Sequence, residues 1–176
     1  MSLETNTIIR PSTPDDLPFI EAMCYQAAFP EGVIDERQPF SEVKELDWFK
    51  AYTQDWLQHD GDFGVIAETD GRPIGAAWYR NSPREERIAG VPEHELVMAL
   101  VPEARGKKIG EKLLVELLEG ASERGIDELS LHVKRKNIRA KKLYSAVGFT
   151  TVKVLTGENQ LTQEVMVAPT SLAVAQ

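Results

Sequence analysis

ELVMALVPEARGKKIG, residues 95–110, joins an unbroken apolar run to a basic turn. Leu96 to Val101 is apolar at every position, which fits a central strand covered on both faces better than an edge strand with one wet face. Pro102 removes a backbone donor and ends the ladder. Arg105-Gly106-Lys107-Lys108-Ile109-Gly110 then leads into an amphipathic helix that begins near Gly110, with Ile109, Leu113, Leu117 and Ala121 along one stripe, Leu114 and Leu118 widening it, and Gly125 at its end. A strand, a tight turn and a helix start aim unpaired N–H groups and the positive end of a helix dipole at one spot, and such a spot binds phosphate.

The nucleotide P-loop is excluded, because the chain contains no Gly-Lys-Ser or Gly-Lys-Thr, and the Gly-x-Gly-x-x-Gly spacing of dinucleotide folds is absent. The stretch instead resembles the acyl-CoA loop of the GNAT superfamily of N-acetyltransferases, Arg/Gln-x-x-Gly-x-Gly/Ala after a strand ending in Val-x-Pro. Arg105, Ile109 and Gly110 stand where that pattern wants them, and Leu100-Val101-Pro102 stands in for Val-x-Pro. Lys108 departs from it, occupying the first pattern glycine, whose missing side chain lets backbone approach a pyrophosphate.

A second match follows one helix and one strand later. Asn137, Ala140, Leu143-Tyr144 and Gly148-Phe149 resemble the family pattern Asn-x-x-Ala-x-x-Leu-Tyr-x-x-x-Gly-Phe. The resemblance implies an α/β protein (α+β in some schemes) with the acyl-CoA N-acyltransferase fold. That fold is a mixed, largely antiparallel sheet with a splayed central parallel strand pair and flanking helices. It also implies acetyl-CoA as cofactor and transfer of its acetyl group to a primary amine, on a small molecule or a protein, by direct attack on the thioester. A non-enzymatic acyl-CoA-binding or regulatory module on the same fold is the alternative, and a homodimer stays open. No metal is implied.

The resemblance also assigns residues. Met98 and Leu100 offer backbone to pantetheine beyond the point, after Leu100, where the parallel strands are expected to part. Arg105, Gly106, Lys107, Lys108, Ile109 and Gly110 take the pyrophosphate. Asn137 caps a helix through one side-chain oxygen and keeps its N–H2 for the cofactor. Tyr144 is either a core tyrosine or the general acid to the leaving thiolate. Two residues compete as base. Glu95 starts the central strand and would otherwise be a solvated strand end; His132, on the polar face of the next strand, has an ordinary pKa near neutrality. His59 and His94 carry no pattern, though His94 adjoins Glu95.

The rest of the chain reads as one domain over residues 1–170 with a disordered tail at 171–176. Its length, 176 residues with 42% hydrophobic and 27% charged, suits one well-buried domain. No apolar run approaches membrane-spanning length, the start lacks a secretory pattern, and the lone Cys24 has no partner for a disulfide, so a cytoplasmic setting is the default. Residues 105–142 hold 11 Lys/Arg against 6 Asp/Glu, a net +5 that leaves −13 elsewhere. A basic patch suits an anionic cofactor, whereas the acidic remainder disfavours nucleic acid and either draws in a cationic acceptor or simply keeps the surface soluble.

Local patterns fill in the order of elements. Ile8 and Ile9 begin a strand ended by Pro11, and Thr13-Pro14-Asp15-Asp16 opens a helix with Leu17, Ile20 and Cys24 inside. Glu31, Asp35 and Glu36 lie in a loop, read as solvated. A single helix is expected over 41–58, with Val43, Leu46, Phe49, Tyr52 and Trp56 on its apolar face. Gly64–Arg80 is a hairpin about Asp70-Gly71, with Val65 and Ala67 alternating on one arm and Ile74, Ala76 and Trp78 sharing a face on the other. Asn81–Pro92 is a polar connection. Further strands are expected over 128–134, 150–155 and 162–168, with a short helix from Asn137 to Val147.

Overall fold

In the computed structural model, which describes residues 6–34, 36–84, 87–157 and 162–171, seven strands make one sheet. The tail expected at 171–176 lies, but for Ser171, outside the described residues, as does Asp35. The strands are β1 (Thr7–Pro11), β2 (Phe63–Thr69), β3 (Arg72–Asn81), β4 (His94–Leu100), β5 (Glu128–Lys134), β6 (Thr150–Leu155) and β7 (Gln163–Pro169), in the order β1-β2-β3-β4-β5-β7-β6. Every neighbouring pair is antiparallel except β4 with β5. The helices are α1 (Leu17–Ala28), α2 (Phe40–Val43), α3 (Asp47–Thr53), α4 (Ile109–Glu123) and α5 (Ile138–Val147).

Each sheet face has its own core. On one, Leu113, Leu114, Leu117 and Leu118 of α4 and Tyr144 and Val147 of α5 meet Leu96 and Met98 of β4 and Leu129, Leu131 and Val133 of β5. On the other, Ile20 and Cys24 of α1, Val43 of α2 and Phe49 of α3 meet Ile66, Ala76, Trp78 and Ala99. The apolar run in β4 is therefore covered on both sides, as its composition requires.

The hairpin turns at Asp70 and Gly71, both left-handed (φ 52° and 78°), the pair of conformations that matches strand twist. The register slips between Ala67 and Glu68 and skips Ile74. Ile74 consequently packs on the α4 face while Ala76 and Trp78 pack on the α1 face, correcting the expectation that all three share one side.

The helix expected over 41–58 is two short ones. Leu46 is extended (ψ 141°) between α2 and α3, and Gln54 is extended (ψ 142°) after α3. The cause of the stop at Gln54 is tertiary. Arg80 of β3 donates to the carbonyls of Ala51 and Gln54 at 3.2 and 3.1 Å, and Trp78 Nε1 donates to that of Tyr52 at 3.1 Å. Carbonyls that would propagate a helix are thus taken by the sheet beneath. At the first helix, Pro14–Asp16 forms a 3-10 turn ahead of α1, and Asp16 Oδ2 accepts from the Thr13 N–H at 2.7 Å.

Candidate active site

The parallel strands touch only briefly. Glu95 and Ser130 are the one partnered pair between β4 and β5, so the strands part immediately after Glu95 and not, as expected, beyond Leu100. Each remains fully paired on its other side, β4 with β3 and β5 with β7, and the twist of each half carries the two apart. Strand parity decides what faces the gap. The Val101 N–H donates to Ile74 O at 2.9 Å and the Ser82 N–H to Glu93 O at 2.7 Å, at the two ends of an unshifted β3–β4 register. Odd-numbered residues of β4 therefore bond β3, and the N–H and C=O of Met98 and Leu100 turn toward β5, where no strand meets them.

The gap opens into a cavity of about 730 Å3, within the usual range for small-molecule sites of roughly 300–1,000 Å3. Glu95, Met98, Leu100, Arg105, His132, Asn137 and Tyr144 all line it. The turn after Arg105 lies outside the lining. Gly106, Lys107 and Lys108 are exposed, whereas Ile109 and Gly110 are buried. The N–H groups of residues 106–111 meet no acceptor among the described residues, the first taken being that of Lys112, by Lys108 O. They form the start of α4 together with its dipole. A Cβ on Gly110 would come within 2.8 Å of Met98 Cε and 3.0 Å of Leu143 Cδ2, so this glycine lets α4 pack closely on β4 and α5. Lys108 takes the left-handed conformation itself (φ 63°). The turn thereby keeps a glycine's shape with a side chain in solvent.

Tyr144 belongs to α5, its ring edge-on to Phe149 at 5.9 Å between centroids. It is both a core residue and a cavity residue, and burial pushes its hydroxyl up to about 12. Asn137 Oδ1 accepts from the Ala140 N–H at 3.3 Å, and Nδ2 meets no partner among the described residues.

Glu95 is not a solvated strand end. It is 3% exposed, and its carboxylate is held by three donors: Tyr52 Oη on Oε2 at 2.7 Å, and Ser82 Oγ and Arg84 Nε on Oε1 at 3.0 and 2.9 Å. His132 Nδ1 lies 3.6 Å from the same Oε1, beyond hydrogen-bonding distance. Neither ring nitrogen of His132 has a partner among the described residues, and burial, with a smaller push from Arg84, lowers its pKa to about 4. It is therefore neutral at physiological pH, not a group poised near neutrality, and its approach to Glu95 is no ion pair there. His94 faces the opposite side of the sheet, edge-on to Tyr79 at 5.7 Å, and is absent from the lining, as is His59. Cys24 does reach the lining, but burial raises its thiol to about 12.

Tyr52, Ser82, Arg84 and Lys134 belong to this cluster and carry no motif. Tyr52 reads as one more apolar position, and Arg84 as part of a polar connection; only alternation marks Lys134, two residues after His132 on the same face of β5. Glu31, expected to be solvated, sits at the rim, 3.9 Å from both Arg37 and Arg105. The acidity of the chain does not extend inside. The lining carries Arg84, Arg105, Lys134, Lys136 and Arg139 against Glu31 and Glu95 among the described residues.

The chain is similar to known proteins. A mycothiol acetyltransferase of Stackebrandtia nassauensis is 31% identical over 97 residues, 55% of this chain and 31% of that protein. An uncharacterized N-acetyltransferase of Archaeoglobus fulgidus is 34% identical over 102 residues, 55% of this chain and 66% of that one. The chain spans about a third of the length of the mycothiol acetyltransferases it first matches. A phosphinothricin acetyltransferase of Sinorhizobium meliloti, solved in complex with acetyl-CoA, superimposes with a TM-score of 0.66 at 21% identity, over 93% of this chain and 88% of that one; at that identity the likeness is one of fold. Residues 29–149, which run from the rim of the cavity through the turn before α4 to the end of α5, match the Acetyltransferase (GNAT) family, and the chain belongs to that family.

Proposed function

We propose that this protein transfers the acetyl group of acetyl-CoA to a primary amine by direct attack of the neutral amine on the thioester. One observation carries the reading: the main-chain groups of Met98 and Leu100 face a walled gap that Arg105 also lines, and the turn following Arg105 carries a cluster of N–H groups with no acceptor among the described residues. The donor set fits an acyl-CoA. Amide-rich pantetheine matches strand backbone lacking a partner, and the N–H groups of 106–111 with the charges of Arg105, Lys107 and Lys108 match a pyrophosphate. Bound there, acetyl-CoA supplies an activated acyl carbon.

The chain's own groups supply the rest. The Leu100 N–H donates to the acyl oxygen as negative charge grows on it. The Tyr144 hydroxyl, protonated throughout the physiological range, donates to the departing sulfur. A nitrogen–carbon bond forms, the carbon–sulfur bond breaks, one proton leaves the amine and one reaches the thiolate. Glu95 already accepts from Tyr52, Ser82 and Arg84, which crowd it against direct contact with an amine, so a proton reaches it by way of a neighbour or water; His132 accepts weakly at a pKa of about 4. Such a site works best on an amine that arrives neutral. Cys24, buried and protonated, takes no acyl group. The lone thiol also makes a cytoplasmic setting part of this reading, and no helix among the described residues is long and apolar enough to cross a membrane.

Thiol release from acetyl-CoA in the presence of a mixed amine panel tests the proposal. Release that depends on particular amines supports transfer. Acetyl-CoA binding with no release under any amine makes the protein an acyl-CoA-binding module.

A further inference from the structure

The part of the cavity on the α1 and α3 side holds charged groups that the transfer itself does not use. Arg84 enters from the connection between β3 and β4. Its Nε is committed to Glu95, but neither terminal nitrogen meets a carboxylate among the described residues. Lys134 enters from β5, with Nζ 3.0 Å from the Ala28 carbonyl at the C-terminal end of α1. Between them in sequence logic and on the same lining stands His132, its side chain 6% exposed and both nitrogens without partners.

Glu95, the buried carboxylate of the lining, already has its charge balanced by Arg84. Both of its oxygens already accept, one from Tyr52 and the other from Ser82 and Arg84. Glu31, the other carboxylate, is half exposed and lies on the Arg105 side. An ammonium binding at Glu95 would meet a carboxylate already paired with Arg84 and set a second positive charge beside that guanidinium. An anion, by contrast, finds a planar guanidinium whose two terminal nitrogens meet no carboxylate among the described residues, steadied through Nε by Glu95 and supported by an ammonium.

We infer that the acceptor is a primary amine that also carries an anionic group, a carboxylate or a phosphate, and that Arg84 is the residue that binds the anion, with Lys134 adding charge. The inference rests on the acetyl-transfer reading above. The same arrangement serves the chemistry, since neighbouring positive charge disfavours the ammonium form of an acceptor and favours the nucleophilic one.

The test measures thiol release from acetyl-CoA for matched acceptor pairs: L-amino acids, each beside its carboxamide, and phosphoethanolamine beside ethanolamine. The charged member of at least one pair should lead in kcat/KM by about tenfold or more, and which pair leads separates carboxylate from phosphate. In Arg84→Met that ratio should fall toward one, and Arg84→Lys, which keeps the charge without the fork, should lie between. Because the ratio is internal to each protein, a partly unfolded variant does not distort it. Faster reaction of the uncharged members, or of a diamine, overturns the anionic acceptor. An unchanged ratio in Arg84→Met overturns the assignment to Arg84. Acetyl-CoA binding without release under every amine defeats the transfer reading, and this inference with it.

Discussion

Burial holds Tyr144 in the form a proton donor needs. With its hydroxyl pushed up to about 12, the side chain keeps its proton at any pH where the protein works, so it can give one to a thiolate but does not act as a base. Tyr144→Phe should bind acetyl-CoA as tightly as the parent and turn over roughly 10²-fold more slowly, read as kcat in the thiol-release assay. An unchanged kcat would remove the hydroxyl from the chemistry. His132 meets the opposite effect, because burial works against its charged form and lowers its pKa to about 4. His132→Gln should therefore leave the shape of log(kcat/KM) unaltered between about pH 5 and 9, any rise across that range belonging to the acceptor amine. A limb near the ordinary histidine pKa that disappears in the variant would restore His132 as the base. The same shift carries a sign for stability. The unfolded chain binds a proton at His132 below about pH 6.5 that the folded chain refuses until about pH 4, so this residue lowers stability as pH falls through that window.

Elements with local signals were legible, and those set by distant partners were not. The strand at 94–100, the turn and α4, β5, and α5 with its Asn137 cap announce themselves through periodicity, glycine and capping chemistry within a few residues of each boundary. The end of α3 is dictated instead by Arg80 and Trp78, some 26 to 29 positions further along the chain, and the cavity-lining cluster of Tyr52, Arg84 and Lys134 is assembled from three separate segments. Nothing near Gln54 in sequence encodes that stop. Arg80 is also bound through two nitrogens to Asp62, at 3.1 and 2.6 Å, and the Asp62 side chain is 1% exposed. Arg80→Met would strand that carboxylate and free the carbonyls of Ala51 and Gln54, so a loss of about 3 kcal/mol or more is expected in denaturant titration. Adding Asp62→Asn should recover part of it; no recovery would mean the helix carbonyls, not the carboxylate, are the main debt. At the turn before α4, Lys108 keeps a left-handed backbone with its side chain in solvent, so it does not crowd the N–H cluster. Lys108→Gly should change CoA affinity little in low salt and make it less salt-sensitive, as titrations at two ionic strengths would read. Much tighter binding by the glycine variant at both would show the lysine to be an obstruction.

At the scale of the whole molecule the sheet is two antiparallel halves, β1 to β4 and β5 to β7, meeting at one partnered pair. Side-chain ties span the junction, from Ser130 Oγ to His94 O at 3.2 Å and from Lys134 Nζ to Ala28 O, but beyond Glu95 the seam has no ladder. A buried strand with unpaired main-chain groups on one side is costly unless something regularly takes its place, and the extended amide chain of pantetheine has the chemistry to do so. Amide exchange should therefore alternate along β4 in the free protein. Val97 and Ala99, bonded to β3, should exchange slowly, while Met98, buried by side chain, and Leu100, partly buried, both facing the gap, should exchange much faster than their neighbours. Saturating CoA should slow Met98 and Leu100 and leave Val97 and Ala99 little changed, because only the former gain a partner. Site-resolved exchange by NMR, with and without CoA, reads all four at once. Uniformly slow exchange in the free protein would mean that the seam is closed in solution. A uniform slowing on CoA binding would mean that the ligand stabilises the fold by mass action alone, without lying along this strand.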